Sequence, residues 1–253
     1  MAIALTGRTI LVSGAARGLG EAFSQACAEA GARIAVADID GEGAARTAEQ
    51  LRLQGHEAEG FAVDIADADS VTALSAEVER RMGGIDGLLN NAALATGIGG
   101  KTFEEIDIDQ WDQVMRINVR GTWLMTKAFA PMLRRSEKGG RVLNIASDTA
   151  LWGAPRLLHY VASKGAVISM TRSLSRELGE DAITVNALAP GLVRVPATDY
   201  VPEQRKQFYV DGAAIRRPQV PQDTTGAAVF LLSDASAFIS GQILPVNGGL
   251  ISA

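Results

Sequence analysis

The chain has 253 residues, 47% of them hydrophobic and 21% charged, with a formal net charge of -5. That size and apolar content suit one large α/β domain with a substantial core, and the interspersed charges point to neither nucleic acid nor an anionic membrane surface. One cysteine, Cys27, and two histidines, His56 and His159, exclude an intramolecular disulfide, a cysteine-cluster metal site and a multi-histidine metal centre.

Residues 9–13, TILVS, form a short apolar run rich in β-branched residues, the pattern of a buried parallel strand. Gly14, Gly18 and Gly20 follow, and a helical pattern covers 19–30. A second strand is expected at 32–38, a helix at 42–54 stopped by Gly55, a third strand at 57–64, a helix at 67–82 and a fourth strand at 85–91. A long helical stretch spans 109–135, bent near 118–121, with more apolar residues than one narrow stripe needs. A fifth strand at 141–147, a helix from Tyr160 to about 178, a sixth strand at 182–188, a helix at 222–232 and a last strand at 242–246 complete the chain. Short apolar strands alternating with helices predict a parallel sheet of right-handed βαβ units. Residues 192–218 lack strong periodicity apart from a short helix at 203–210, and loops of that length are usually lids or binding loops. The expectation is a single domain over 1–253, with a substrate loop at about 191–218.

The glycines after the first strand let the backbone turn sharply and approach a ligand. The helix N-terminus behind them offers free N–H groups and the positive end of a dipole, a site for phosphate. The spacing is G-x-x-x-G-x-G, which differs from the G-x-G-x-x-G fingerprint, so its place in a βαβ unit carries the argument. Asp38, at the end of the second strand, can accept hydrogen bonds from the ribose 2′-OH of NAD and repel the 2′-phosphate of NADP. Arg17 in the glycine loop pulls mildly the other way, and Asp38 and Asp40 also fit a turn or a helix cap. NAD is the expected cofactor.

Ser147 ends the fifth apolar run, where open α/β sheets bind ligands. Tyr160 and Lys164, at i and i+4 on a helix, share one face. An ammonium beside a phenol lowers its pKa from about 10. Tyr160 is therefore expected as the general acid/base, tuned by Lys164, with Ser147 holding the substrate oxygen. His159 points about 100° away round the helix, which favours packing over catalysis.

With these features in place the chain resembles the short-chain dehydrogenase/reductases over nearly its full length. The residues that carry the likeness are the glycine loop 14–20, Asp64, Asn90-Asn91-Ala92, Asn118, Ser147, Tyr160-x-x-x-Lys164, Pro190-Gly191 and Asn247-Gly248-Gly249. The resemblance implies a doubly wound Rossmann fold, a seven-stranded parallel sheet with helices on both faces. It implies a catalytic tetrad of Asn118, Ser147, Tyr160 and Lys164, in which Asn118 holds a water for proton relay and Tyr160 takes the alcohol proton as the cofactor accepts hydride. It implies a cofactor surface of Gly14, Arg17, Gly18, Leu19, Gly20, Asp38, Ile39, Asp64, Ile65, Asn91, Ala92, Tyr160, Lys164, Pro190, Gly191 and Val193. Within that surface Asp64 and Ile65 would hold the adenine and Val193 the nicotinamide carboxamide. Two departures stand out: Ser13 opens the loop where threonine is common, and Val195 stands where a threonine often meets the cofactor.

The substrate is expected to be a small secondary alcohol or its ketone with an apolar or aromatic group, bound by Ser147, Tyr160 and Trp152. Asp148, Leu151, Arg156, Leu157, Leu158, Val195, Ala197 and Tyr200 would shape the pocket, with Asp148 and Arg156 equally readable as surface residues. The stretches 192–198 and 219–249 are similar to those of dehydrogenases of secondary aromatic alcohols such as 1-phenylethanol. A 3-oxoacyl reductase is the rival within the family, weighed against by Asp38, and a non-catalytic NAD-binding scaffold is the rival outside it. Enoyl reduction is disfavoured by the tyrosine–lysine spacing. Family members are commonly homotetramers. Residues 1–14 lack the features of a signal peptide and no apolar run nears the ~20 residues of a membrane span, so a cytoplasmic place is expected.

Overall fold

The computed structural model describes residues 3–251. The outermost residues of the expected domain, 1–2 and 252–253, lie outside the described residues. Seven strands run in the order β3-β2-β1-β4-β5-β6-β7, all parallel. They are β1 (Thr9–Ser13), β2 (Arg33–Asp38), β3 (Ala58–Ala62), β4 (Gly87–Asn90), β5 (Arg141–Ile145), β6 (Thr184–Pro190) and β7 (Ile243–Val246). The helices are α1 (Gly18–Glu29), α2 (Gly41–Leu53), α3 (Ala68–Met82), α4 (Ile108–Met115), α5 (Thr122–Arg135), α6 (Thr149–Trp152), α7 (Leu158–Glu177), α8 (Glu203–Gly212) and α9 (Gln222–Leu232).

Strand alternation divides the core. In β1, Ile10 and Val12 join Phe23, Leu231 and Leu232 in one cluster, whereas Leu11 joins Leu88, Met125, Phe129 and Leu133 in the other. Successive side chains of a strand point to opposite faces, so an uninterrupted apolar run serves a sheet with helices on both sides. Full burial of Phe129 or Leu133 stabilises by roughly 1.5–3 kcal/mol each. The N-terminal edge of the sheet is held by a charged clamp. Arg8, just before β1, and Arg141, opening β5, are both buried and share the Asp234 carboxylate, while Arg8 also donates to the Lys138 and Gly139 carbonyls at 2.6 and 3.0 Å.

Sequence periodicity locates each element but misplaces several ends. The expected strands at 57–64, 85–91 and 141–147 stop earlier, because their last residues leave the ladder to form the ligand-facing edge. Strand β6 runs on to Pro190, whose carbonyl accepts the Asp148 N–H at 3.0 Å. The expected bend in 109–135 is a π-turn over Arg116–Gly121 between α4 and α5. Gly121 permits this turn to lie against Ile65, since a Cβ there would meet the Ile65 side chain at 2.8 Å. No helix among the described residues is long and apolar enough to cross a membrane.

Candidate active site

The strand order reverses between β1 and β4, so the loops leaving those two strands part and open a crevice at the C-terminal edge. The walls of this crevice are pinned by short polar contacts. Ser13 Oγ accepts the N–H groups of Asn91 and Ala92 at 3.1 and 3.2 Å, and the Asn91 amide donates to the carbonyls of Ser13 and Gly14 at 3.1 and 2.9 Å. The serine at this position therefore keeps the hydroxyl's structural work. Gly14 and Gly18 adopt φ of 65° and 64°, where side chains are disfavoured. Helices α2 and α3 have aspartate caps, Asp40 and Asp67, whereas α1 has no side-chain cap at Arg17. The first N–H groups of α1 are thus left for an external acceptor. Arg17 is exposed, Leu19 packs on the core, and Gly20 lies buried against Gly14.

Asp38 ends β2 beside this loop. Its carboxylate accepts the Ala16 N–H at 2.9 Å and the Asp40 N–H at 3.0 Å. Asp38 thus organises the loop, each of its carboxylate oxygens accepting one backbone N–H beside the crevice. Ile39 beside it is 75% exposed, apolar surface without an internal partner. Beyond β3, Asp64 is exposed and accepts the Ala66 N–H at 2.8 Å, while Ile65 is buried against Gly121. An uncapped helix N-terminus behind a glycine turn, with an acceptor-only carboxylate at the next strand end, fits a dinucleotide.

Across the crevice, Ser147 lies two residues beyond β5, and Tyr160 and Lys164 lie in α7. Ser147 Oγ accepts from the Thr149 hydroxyl at 2.8 Å, a partner that no sequence pattern signalled. Burial pushes the Tyr160 phenol up to about 12, and contact with Ser147 draws it partly back. This corrects the expectation of a lowered value. The Lys164 ammonium lies 5.7 Å from the Tyr160 ring centroid and donates to the Ile145 carbonyl at 2.7 Å, so desolvation of the phenol prevails. Lys164, only 4% exposed, is itself pulled down to about 8 by burial.

Asn118 sits in the π-turn, fully enclosed. Its Oδ1 accepts the Leu94 N–H at 2.7 Å, and its Nδ2 donates to Leu94 O at 3.1 Å and Ser163 Oγ at 3.0 Å. Ser163 in turn donates to Tyr160 O at 2.7 Å. The Asn118 side chain thus braces the β4 loop and α7. His159 is buried within the chain, as packing requires, and burial lowers its pKa.

Gly191 and Val193 lead from β6 into a covering segment. Val193 is buried and bridges Gln219, and a methyl added to Gly18 would stand 3.7 Å from Val195, so the segment crosses the glycine loop. Thr198 supplies a hydroxyl to the carbonyls of Val193 and Val195 at 2.8 and 2.9 Å, from within the turn that Val195 opens. Tyr200 donates to Ala95 O at 2.8 Å. Trp152 meets α8, with Phe208 and Tyr209 rings at 5.3 and 6.2 Å. Asp148, read equally as a surface residue, is buried instead. A cavity of about 300 Å³ lies beneath α8, lined by Leu192, Tyr209, Val210, Gln219 and Asn247, and none of the Ser147, Tyr160 or Lys164 side chains reaches it.

Comparison with known proteins defines the class. A family model described as Enoyl-(Acyl carrier protein) reductase matches residues 14–251. The (2S)-((R)-hydroxy(phenyl)methyl)succinyl-CoA dehydrogenase subunit of Thauera aromatica is 35% identical over 242 residues, covering 96% of each chain. The 3-oxoacyl-(acyl-carrier-protein) reductase of Aquifex aeolicus is 31% identical over 252 residues, 99% of this chain and 100% of the relative. The crystal structure of a gluconate 5-dehydrogenase from Burkholderia cenocepacia, in complex with NADP and tartrate, superposes with a TM-score of 0.92 at 33% identity, covering 99% and 98% of the two chains. The site is that of an oxidoreductase that works with a nicotinamide cofactor. The chain belongs to the short-chain dehydrogenase/reductase family.

Proposed function

We propose that the protein is an NAD-dependent dehydrogenase interconverting a secondary alcohol and its ketone, with Tyr160 as the acid/base. The observation that carries this reading is the gathering of buried Ser147 and Lys164 and half-buried Tyr160 at the same sheet edge as the uncapped glycine turn. When bound, the nicotinamide supplies the hydride chemistry. Ser147 orients the substrate oxygen by hydrogen bonding. Neutral Tyr160, the form that burial favours, donates its proton to a ketone oxygen and is left as the phenolate; in the reverse direction the phenolate receives the alcohol proton and becomes neutral. Lys164 is the buried cation that favours the phenolate, both before it takes the alcohol proton and after it has given its proton to a ketone. Asn118 positions α7 through Ser163, and with its side chain engaged, a proton-relay water would rest on its backbone.

The residues that would hold the dinucleotide are Gly14, Arg17, Gly18, Leu19 and Gly20 at its phosphates, Asp38 at the 2′-hydroxyl, Ile39, Asp64 and Ile65 about the adenine, and Asn91, Ala92, Pro190, Gly191 and Val193 toward the nicotinamide. Asp38 supports NAD over NADP. A kcat/KM for NADP⁺ equal to or above that for NAD⁺ would refute this choice. The apolar wall of Trp152 and Phe208 supports an aromatic or apolar substrate group, and the phenyl-bearing succinyl-CoA named for one relative accords with it. The oxoacyl reductase relative supports the same chemistry run as ketone reduction, and an oxoacyl thioester therefore belongs in the substrate panel.

Tyr160→Phe abolishes turnover while NADH still quenches tryptophan fluorescence with near wild-type affinity; full activity in that variant would sink the assignment. Binding of NADH by the wild type without turnover of any alcohol would favour the scaffold reading. A cytoplasmic homotetramer is part of the proposal. The tetramer is supported by a surface groove where Met115 of α4, Val119 of the π-turn, Trp123 of α5 and Met170 of α7 are flanked by Arg116 and Arg120.

A further inference from the structure

Among the described residues, Asp148 is the one acidic side chain in the buried set, with no accessible surface, and it directly follows Ser147. A buried carboxylate is costly unless hydrogen bonds hold it. Its partners come from three separate segments. Oδ1 accepts from the Tyr209 hydroxyl of α8 at 3.3 Å, and Oδ2 faces the Asn247 amide nitrogen at 3.5 Å. Its N–H is anchored on Pro190 O at 3.0 Å, and a Cβ on Gly191 would come within 3.3 Å of Oδ2. Asn247 cannot turn its amide round freely, since its Oδ1 already accepts the Gly249 N–H at 3.2 Å. Both flanking groups are therefore donors, which is the environment that selects a carboxylate over an amide.

Tyr209 is also part of an aromatic wall. Its ring packs edge-on to Phe208 at 5.8 Å and against Trp152, while the Arg205 guanidinium lies 5.8 Å over the Trp152 ring and donates to Pro155 O at 3.1 Å. Helix α8 has no buried residue of its own, so these contacts decide where it rests.

Building on the dehydrogenase reading, we propose that Asp148 is a positioning residue that ties α8 to the strand end carrying Ser147. Through Tyr209 it sets the Trp152–Phe208–Tyr209 wall that selects aromatic over small secondary alcohols. The tie spans 61 residues of sequence, so a change at one end is read at the other.

The test compares Tyr209→Phe, Asp148→Ala and Asp148→Asn. KM and kcat are measured with NAD⁺ for 1-phenylethanol and for 2-butanol. A hydrogen bond to a charged acceptor corresponds to a factor of about ten or more. Tyr209→Phe and Asp148→Ala raise KM for 1-phenylethanol about tenfold, reduce its preference over 2-butanol, and change kcat less than KM. Asp148→Asn keeps an acceptor for Tyr209 and retains most of the preference. Limited trypsin cleavage at Arg205 and Lys206 gives a readout that does not need turnover: the first two variants are cut several times faster than wild type, and Asp148→Asn is not. A Tyr209→Phe protein with wild-type preference and wild-type cleavage overturns the tie even if Asp148→Ala fails to fold. If the wild type oxidises neither alcohol, the aromatic-alcohol part of the proposed function has failed, and the cleavage rates alone decide for or against the tie.

Discussion

Gly20→Ala is a demanding test of how the cofactor crevice is built. A Cβ at this position would lie 2.1 Å from Gly14 O and 2.7 Å from Asn91 Nδ2. The first distance is more than about 1 Å inside van der Waals contact. Neither neighbour can yield cheaply, because they are bonded to each other at 2.9 Å and Asn91 also holds Ser13. Overpacking costs about 1–3 kcal/mol and loss of the buried Asn91 bond about 1–3 more, against a gain of about 1 from the better helix former. The net expectation is a loss of about 1–5 kcal/mol, read as a lower urea midpoint with an unchanged slope, together with weakened NADH binding. Gly226→Ala is the control. No atom lies within 4 Å of the added Cβ in α9, so that variant gains about 0.5–1 kcal/mol. Wild-type stability and NADH affinity in Gly20→Ala would show that the turn does not depend on this close approach.

Burial lowers the Lys164 pKa from 10.5 to about 8, so between those values the unfolded chain holds a proton that the folded chain lacks. Stability contributed by this group therefore rises with pH across that window, by ~3 kcal/mol at most. Subtracting the denaturation profile of Lys164→Met isolates the rise, and a flat difference would contradict it. Asp234→Ala leaves Arg8 and Arg141 facing each other without their shared carboxylate and lowers stability by about 1–2 kcal/mol; Asp234 is exposed, which moderates the loss. A melting temperature within a degree of wild type would refute the clamp. Trp123→Glu, in the exposed groove, shifts the mass measured by light scattering toward smaller species, whereas an unchanged mass would remove that face from the proposed tetramer.

The parts of the site that were legible in the sequence are those encoded locally. Gly14 to Gly20, Asp38, Ser147, Tyr160 and Lys164 announce themselves by residue type and by distance along the chain from a strand end, and the parallel sheet follows from the alternation of apolar strands with helices. What escaped depends on contacts between distant segments. Nothing near Asn118 in sequence shows that its amide is occupied by Leu94 and Ser163. The burial of Asp148 is invisible because its partners Tyr209 and Asn247 arrive from α8 and from the end of the chain. The direction of the Tyr160 shift was missed for a related reason: the i, i+4 geometry places Lys164 nearby, but how dry the phenol is, and which carbonyl accepts the ammonium's hydrogen bond, are set by the surrounding fold.

The π-turn at Arg116–Gly121 makes the register of this region intolerant of change. A π-turn holds one residue more than an α-turn. Deleting a single residue there would repair the regular hydrogen bonding of the helix, yet each residue advances the chain by about 100° and 1.5 Å. Either Asn118 would swing away from Leu94, or Met125, Phe129 and Leu133 would rotate out of the core they fill. Insertions and deletions are therefore excluded here for reasons of angle, whereas in the exposed loops they are limited mainly by length.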